Sequence, residues 1–588
     1  MSGCEKAGCL RMNTESDDWL DGMKADRLPL LPTPTRFSFV RLQNLLFAVC
    51  VLVFLITTVT FRRLGSFEAI PHKPETVQFP PIGLQEAESS SLLDNACKVP
   101  WIFPMEDDIR GWSLRFGPIT CTKQMANLAY LNENHVLTIQ NDLDAKWSLR
   151  GTPIKCNVSA IKGGLKPKIG EATLVDLGIT LRLGEQRVMP VDQFVVDCWN
   201  ETNSELLYSR AFAGFAKQEE KKGKAPLATP TAPSLVVFII DSTARNQFVR
   251  HAPLSYELMN KLGFVSLNGY TKVGDNSGVN LFPAKRGCIS MFNDDIMHPN
   301  RGLFAYHHHN GFEKPPTDYF FRPFSLVNVR KEVKPALGHC TIHGQSVVNQ
   351  HFGFIERFSR VFKDHCHFSV NFFTSTSREL GVEDEEIRST LEKFSASGVL
   401  NNTVVVVMGD HGNRIGGIQF TYTGRIEERM PLFALYLPPG LAREHPHFLA
   451  NLRYNSNRLT SNYDVYRTLR TIAQLGGQPQ KEQIHYRGYS LLADRVPTNR
   501  TCTEAGIPPN FCTCLQSRPL PKYERGQPKY AEIEALIREM FLTNPHSCIL
   551  GNSVKLMDET IRSFSVDPMV RQGRREMNRQ GKKWALFS

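Results

Sequence analysis

Two short apolar runs end in side chains that suit a metal ion. Leu235–Ile240 leads into Asp241-Ser242-Thr243, and Val404–Met408 leads into Gly409-Asp410-His411-Gly412. A carboxylate pair and an imidazole are the donor set for Zn²⁺, with Mn²⁺ next. An aspartate that ends a strand is more often the N-cap of the following helix, so Asp241 alone says little. Two such ends in one domain raise the metal reading above that alternative. Gly412 is expected to let the chain turn away tightly after His411. Between the runs, Lys272–Pro283 carries Ser277 between Asn276 and Gly278. A turn serine is the plain reading. Beside a bound metal, the same hydroxyl is a nucleophile for an in-line displacement. Thr243 is the other hydroxyl, and its closeness to Asp241 points to helix capping.

The elements that must hold these residues follow from the spacing. Leu235–Ile240, Phe368–Phe373, Val404–Met408 and Leu432–Leu437 are near-continuous apolar runs, the pattern of strands covered on both faces. Val347–Phe362 and Glu383–Phe394 carry helical patterns between them. This alternation predicts an α/β domain over 234–495, a mostly parallel sheet with helices on both faces. In such sheets ligands gather at the carboxyl ends of strands, where both candidate ligand groups fall. Upstream, 97–216 has short apolar stretches spaced by Gly and Pro, which predict a smaller, mostly β domain. A Lys-, Glu- and Pro-bearing linker over 217–233 separates the two. Residues 496–588 form a Cys-bearing C-terminal region.

The compartment is read from one apolar segment and from cysteine placement. Leu45–Phe61 has no charge in 17 residues, the low end of a membrane-spanning helix. It lies too far from residue 1 for a cleaved signal peptide, so an uncleaved signal anchor is expected. Residues 1–44 are then a cytoplasmic tail and 62–96 a stem. All four N-glycosylation sequons, at Asn157, Asn200, Asn401 and Asn499, and 11 of the 14 cysteines follow the segment. Both facts predict a single-pass type II protein with its bulk, bearing N-linked glycans and disulfides, in the lumen or outside the cell. The formal net charge of +11 is spread over 588 residues. It does not make a nucleic-acid partner, and its densest run, Arg571 to Lys583, reads as a solvated tail.

Other polar clusters carry less. His307-His308-His309 suits a surface loop, since consecutive residues converge poorly on one ion. Glu427 and Glu428 could add a ligand or pair with Arg425 or Arg429. Asp384 and Glu385 fit the acidic first turn of a helix. Cys502, Cys512 and Cys514 could hold zinc, but disulfides are favoured in an oxidising compartment. His445 and His447 read as loop residues.

Several motifs occur together and in order: Val236–Asp241, Gly274–Asn280, Pro315–Pro323, Asp410–Arg414, Gly424–Pro431, Arg487–Leu491, Asn499–Pro508 and Cys512–Cys514. This set resembles the membrane-anchored ectoproteins of domain-of-unknown-function family 229, common in nematodes. That family is similar to sulfatases and nucleotide pyrophosphatases of the alkaline phosphatase superfamily. The resemblance spans roughly Cys97 to Cys514 and implies an alkaline phosphatase-like, two-metal phospho- or sulfo-hydrolase fold. Asp241 matches the first metal aspartate, Asp410 and His411 match the second-strand pair, and Ser277 falls where relatives usually carry Thr. The implied activity is hydrolysis of a phosphoester outside the cytoplasm. A sulfatase-like hydrolase is an alternative, weakened because Cys288 lacks the Cys-x-Pro-x-Arg context. Three departures favour another alternative, a catalytically degenerate binding ectodomain. Arg378 stands where the resemblance implies a metal histidine, and it would repel a cation or clamp a phosphate. The stretch from Gly287 to Gly311 is short for the family, and Tyr466 replaces a common His.

Overall fold

The computed structural model describes residues 97, 99–100, 102–113, 116–274, 287–295, 302–303, 311–333, 339–374, 379–475 and 487–516, with short pieces at 523–524, 531–532, 535, 560–561 and 565–566. Leu45–Phe61, Ser277, His307–His309, Arg378 and Cys548 lie outside the described residues. Among the described residues, no helix is long and apolar enough to cross a membrane.

A seven-stranded mixed sheet organises the larger part. Its order is Tyr319–Phe320, Ile289–Asp294, His367–Phe373, Ser234–Ile240, Thr403–Gly409, Phe433–Tyr436 and Val265–Ser266. The first five strands run parallel, and the last two pairings are antiparallel. Ser234–Ile240 is buried along its whole length, as a central strand between helix layers must be. Alternation then divides its side chains. Val236, Phe238 and Ile240 join one hydrophobic cluster with Phe352, Ile387 and Phe394 from helices Val347–Val361 and Asp384–Ala396. Leu235, Val237 and Ile239 join another with Leu452, Val465 and Leu469 from helices Pro446–Asn455 and Asn462–Gln474. The period of two in a strand is thus what gives the sheet two covered faces. This is the α/β class expected from the alternating runs.

The smaller part is an antiparallel sheet in the order Ala172–Arg182, Ile154–Gly163, Gln193–Asn200 and Leu206–Ala213, beside a three-stranded sheet. It packs onto the larger part: Val195, Ala211 and Ala213 belong to the same cluster as Val236. Gln193 secures the junction, donating to the Phe320 carbonyl at 2.8 Å and accepting from the Phe324 N–H at 2.8 Å. The segment 217–233 carries a short helix, Gln218–Lys222, and Lys221 pairs with Asp318 at 3.1 Å.

Five disulfides join Cys97–Cys514, Cys121–Cys340, Cys156–Cys198, Cys288–Cys366 and Cys502–Cys512. They use ten of the eleven cysteines that follow Leu45–Phe61, leaving Cys548. This is the chemistry of an oxidising compartment, so the folded part is luminal or extracellular. Cys97–Cys514 closes a loop with a sequence separation of 417, the longest of the five. Replacing both cysteines by serine is expected to cost about 2–5 kcal/mol, because the unlinked unfolded chain regains so much freedom. Chemical denaturation of the double variant against the parent, both otherwise oxidised, checks this.

Candidate metal centre

Adjacent parallel strands bring the predicted ligands together. Ser234–Ile240 and Thr403–Gly409 pair in register through Ile240 and Gly409, so Asp241 and Asp410 emerge side by side. Asp241, Asp410 and His411 each offer a ligand atom, and these atoms lie within 4.8 Å of one another. The His411 Nε2 is 3.4 Å from Asp410 Oδ2 and 3.8 Å from Asp241 Oδ1. Asp410 and His411 are buried, while Asp241 keeps partial access.

The backbone around Asp410 fixes it. Its Oδ1 accepts the N–H of Ser242 at 3.0 Å and of His411 at 2.8 Å. Ser242 reaches that position with φ of 61°, a left-handed conformation that costs a non-glycine residue about 1–3 kcal/mol. The strained turn aims its N–H at Asp410 and its hydroxyl at Asp241 Oδ1, 3.1 Å away. The Nδ1 of His411 lies 2.9 Å from the Gly412 carbonyl. That acceptor selects the tautomer with a proton on Nδ1, which turns the lone pair of Nε2 toward the carboxylates.

Two glycines flank the pair for a reason of space. A Cβ at Gly409 would sit 2.0 Å from the Thr243 carbonyl oxygen, and one at Gly412 would sit 2.1 Å from the Glu427 carbonyl oxygen. Gly412 is therefore needed for close approach of the helix Tyr422–Arg429, not for the tight turn expected of it. Thr243 is also corrected. The N-cap of helix Arg245–His251 is Ala244, and Thr243 is buried with its carbonyl held against Gly409.

Charge at the centre is poised for a cation. Burial, then the neighbouring Asp410 carboxylate, pushes Asp241 up to about 8. Burial also lowers the affinity of His411 for a second proton, although Asp410 opposes this. The Nε2 of His411 is buried with no hydrogen-bond partner. A buried, unsatisfied imidazole nitrogen between two carboxylates is costly in a closed protein core and natural at a metal site. The residues present fit a divalent ion.

Further polar groups surround this centre that the sequence did not single out. Asp295 follows the strand Ile289–Asp294 and accepts the Thr374 N–H at 2.6 Å. Glu383, fully buried, is held well above the usual carboxylate range by burial and by Asp295 and Asp241. The apolar run ending in Asp294-Asp295 was the one available sequence signal for this third strand end. Lys272, also buried, pairs with Glu428 and lies 4.5 Å from the Phe511 ring centre.

The other candidates resolve differently. Glu427 pairs with Arg250 through both oxygens at 2.9 Å, rather than with Arg425 or Arg429. Glu428 does meet Arg429, at 2.8 Å. Asp384 and Glu385 stand in the first turn of helix Asp384–Ala396, as expected, and Asp384 also accepts the N–H groups of Leu254 and Ser255 at 3.1 and 2.7 Å, which anchors a neighbouring helix, Pro253–Leu262. Cys502, Cys512 and Cys514 are spent on disulfides. His445 lies in the connection between helices Pro439–Glu444 and Pro446–Asn455, as expected of a loop residue, whereas His447 lies within the second helix; both rings pack on Phe448. Tyr466 lies within helix Asn462–Gln474.

A family model described as "Protein of unknown function (DUF229)" matches residues 119–285 and 282–541. Among solved structures, the chain is similar to the lipoteichoic acid synthase LtaP from Listeria monocytogenes, at 13% identity and a TM-score of 0.29, covering 47% of this chain and 80% of that one. It is similar to an alkaline phosphatase superfamily protein from Vibrio parahaemolyticus at 14% identity, TM-score 0.28, with coverage of 43% and 69%. It is also similar to the C-terminal periplasmic domain of EcEptC from Escherichia coli in complex with Zn, at 13% identity, TM-score 0.30, with coverage of 45% and 89%. Comparison with curated proteins gives no match.

Proposed function

Because the chain belongs to the DUF229 family of proteins of unknown function, its activity has to be argued from its own site, and we propose a metal-dependent phosphoester hydrolase of the alkaline phosphatase type. The single observation behind this reading is the convergence of Asp241, Asp410 and the unsatisfied Nε2 of His411 at two adjacent strand ends. These three residues would hold the ion, zinc before manganese given the imidazole. When bound, it supplies Lewis-acid stabilisation of the phosphoryl oxygens.

The chain's own residues do the rest. Ser242 and the Gly412 carbonyl orient Asp410 and His411 before any ligand arrives, so little reorganisation accompanies the reaction. Ser277 is assigned as the nucleophile from its sequence position. Its Oγ bonds to phosphorus as the alcohol leaves, and water then releases the phosphate. The substrate is an extracellular or luminal phosphoester, with the chain held at the membrane by Leu45–Phe61 as a type II anchor. Replacing Ser277 by alanine is expected to lower turnover of an aryl phosphate or phosphodiester by about 10³-fold or more, with zinc content maintained. Turnover that survives in S277A removes the nucleophile assignment.

One sequence observation favours a second reading. Arg378, in place of a metal histidine, suits a binding ectodomain that holds a phosphate without cleaving it. Metal analysis separates the two readings: two tightly held ions per chain count against the binding ectodomain.

A further inference from the structure

A cavity of about 60 Å³ is lined by residues other than Asp241, Asp410 and His411. Its wall includes Ile102, Arg245, Asn246, Asn268, Glu427 and Asn457. The volume suits a few waters or one small ion and is far below the ~300 Å³ at which drug-sized ligands bind.

The wall carries an uncompensated positive charge. Arg245 opens the helix Arg245–His251, and its guanidinium donates through Nη1 to Asn246 Oδ1 at 2.8 Å. Its Nε is buried with no acceptor. Among the described residues no carboxylate pairs with Arg245. Glu427 is the one acid among the described wall residues, and Arg250 already holds both its oxygens. Arg245 as a whole is half-buried, and an enclosed guanidinium N–H that lacks an acceptor is costly. Burial also acts here, lowering the proton affinity of Arg245.

Carboxamides complete the polar wall. Asn268 donates to Asn457 Oδ1 at 2.6 Å, and Asn246 donates to the Ile102 carbonyl at 2.9 Å. The strand of chain that includes Ile102 is tied again where Arg250 donates to the Pro104 carbonyl, and it begins at the Cys97–Cys514 disulfide. The cavity is therefore preorganised by covalent and hydrogen-bonded ties, with a planar fork of donors left short of acceptors.

We propose that this cavity is a binding site for a small oxyanion, a phosphate or a short carboxylate, held by the Arg245 guanidinium among the side-chain amides. The site is independent of the metal centre and of the proposed hydrolysis. An ion bound there links the N-terminal segment at Ile102 to the core, so it stabilises the folded protein.

The test is thermal and calorimetric. Millimolar inorganic phosphate, compared with chloride at equal ionic strength, is expected to raise the Tm of the Asp410→Asn protein by a few degrees. Use of that variant removes phosphate binding at the metal centre. Adding Arg245→Gln is expected to abolish the shift. Should that variant fail to fold, Arg245→Lys keeps the charge but loses the fork, and phosphate affinity is expected to fall about tenfold or more. A shift that acetate produces and phosphate does not, and that still requires Arg245, supports the site and assigns it to carboxylates. A phosphate shift of the same size with and without Arg245, or no shift with either anion, overturns the proposal.

Discussion

Asp410→Asn is expected to lower zinc affinity by more than ~10²-fold and turnover by about 10³-fold, since it strikes a proposed direct ligand whereas outer-shell changes alone cost about 10–100-fold. The physical reason lies in how the two oxygens of Asp410 are divided. One accepts the Ser242 and His411 N–H groups, and the other faces His411 Nε2 at 3.4 Å. The amide oxygen of asparagine can keep the first role, which places its NH₂ where an ion needs an anion. The metal-free variant is expected to be no less stable than the metal-free parent. Removing the Asp410 charge relieves the repulsion that, after burial, holds Asp241 high. Chelator competition for zinc affinity and a melting curve of the metal-free protein read the two effects separately. Unchanged zinc affinity would remove Asp410 from the ligand set.

Glu427→Ala is expected to cost about 3–5 kcal/mol of folding stability, the range for stripping one partner from a buried ion pair. Arg250 is 1% exposed, and Glu427 is its bidentate partner. Without Glu427, the guanidinium retains the Pro104 carbonyl and a contact with His251, with no countercharge among its described contacts. The double change Arg250→Met with Glu427→Met is expected to cost clearly less, because no charge is left stranded. Denaturant midpoints of the three proteins decide the matter. Equal losses in the single and double variants would mean that packing, and not charge, dominates. The effect extends to the metal centre, because the backbone of Glu427 and Glu428 backs Gly412, whose N–H donates to the Glu428 carbonyl at 3.0 Å.

Much of this centre was legible in the linear sequence for a local reason. A fully covered strand must be apolar throughout, so its end is marked where the first charged residues appear. Asp241 after Ile240 and Asp410-His411 after Gly409 are such marks. Both strand ends were placed within a residue, and the helices Val347–Val361 and Asp384–Ala396 emerged close to their periodic patterns. Asp295 was less visible because its strand follows a stretch of weak pattern. Glu383 was invisible, since it sits on a loop just before an acidic helix start, where Glu385 pairs with Arg388 near the surface.

The partners were a different matter. Glu427 has Arg425 and Arg429 within two residues, yet it meets Arg250, 177 positions away. Sequence proximity favours neighbours on one helix, but a buried carboxylate takes the guanidinium that packing brings into the same dry space. The cysteines followed the same division. Their distribution indicated an oxidising compartment, while the pairing of Cys97 with Cys514 depends on where two distant loops meet.

The sequence by itself determined the α/β class, the two strand ends that carry Asp241 and Asp410-His411, and the donor chemistry they offer. These depend on covering apolar strands and on residue type, which are local properties of the chain. The tertiary structure alone decided that the two ends are adjacent and in register, that Gly409 and Gly412 are there to admit neighbouring carbonyls, and that Arg245 lines a cavity whose one described acid, Glu427, is already held by Arg250. Those depend on distances between segments far apart in sequence, and only packing in three dimensions sets them.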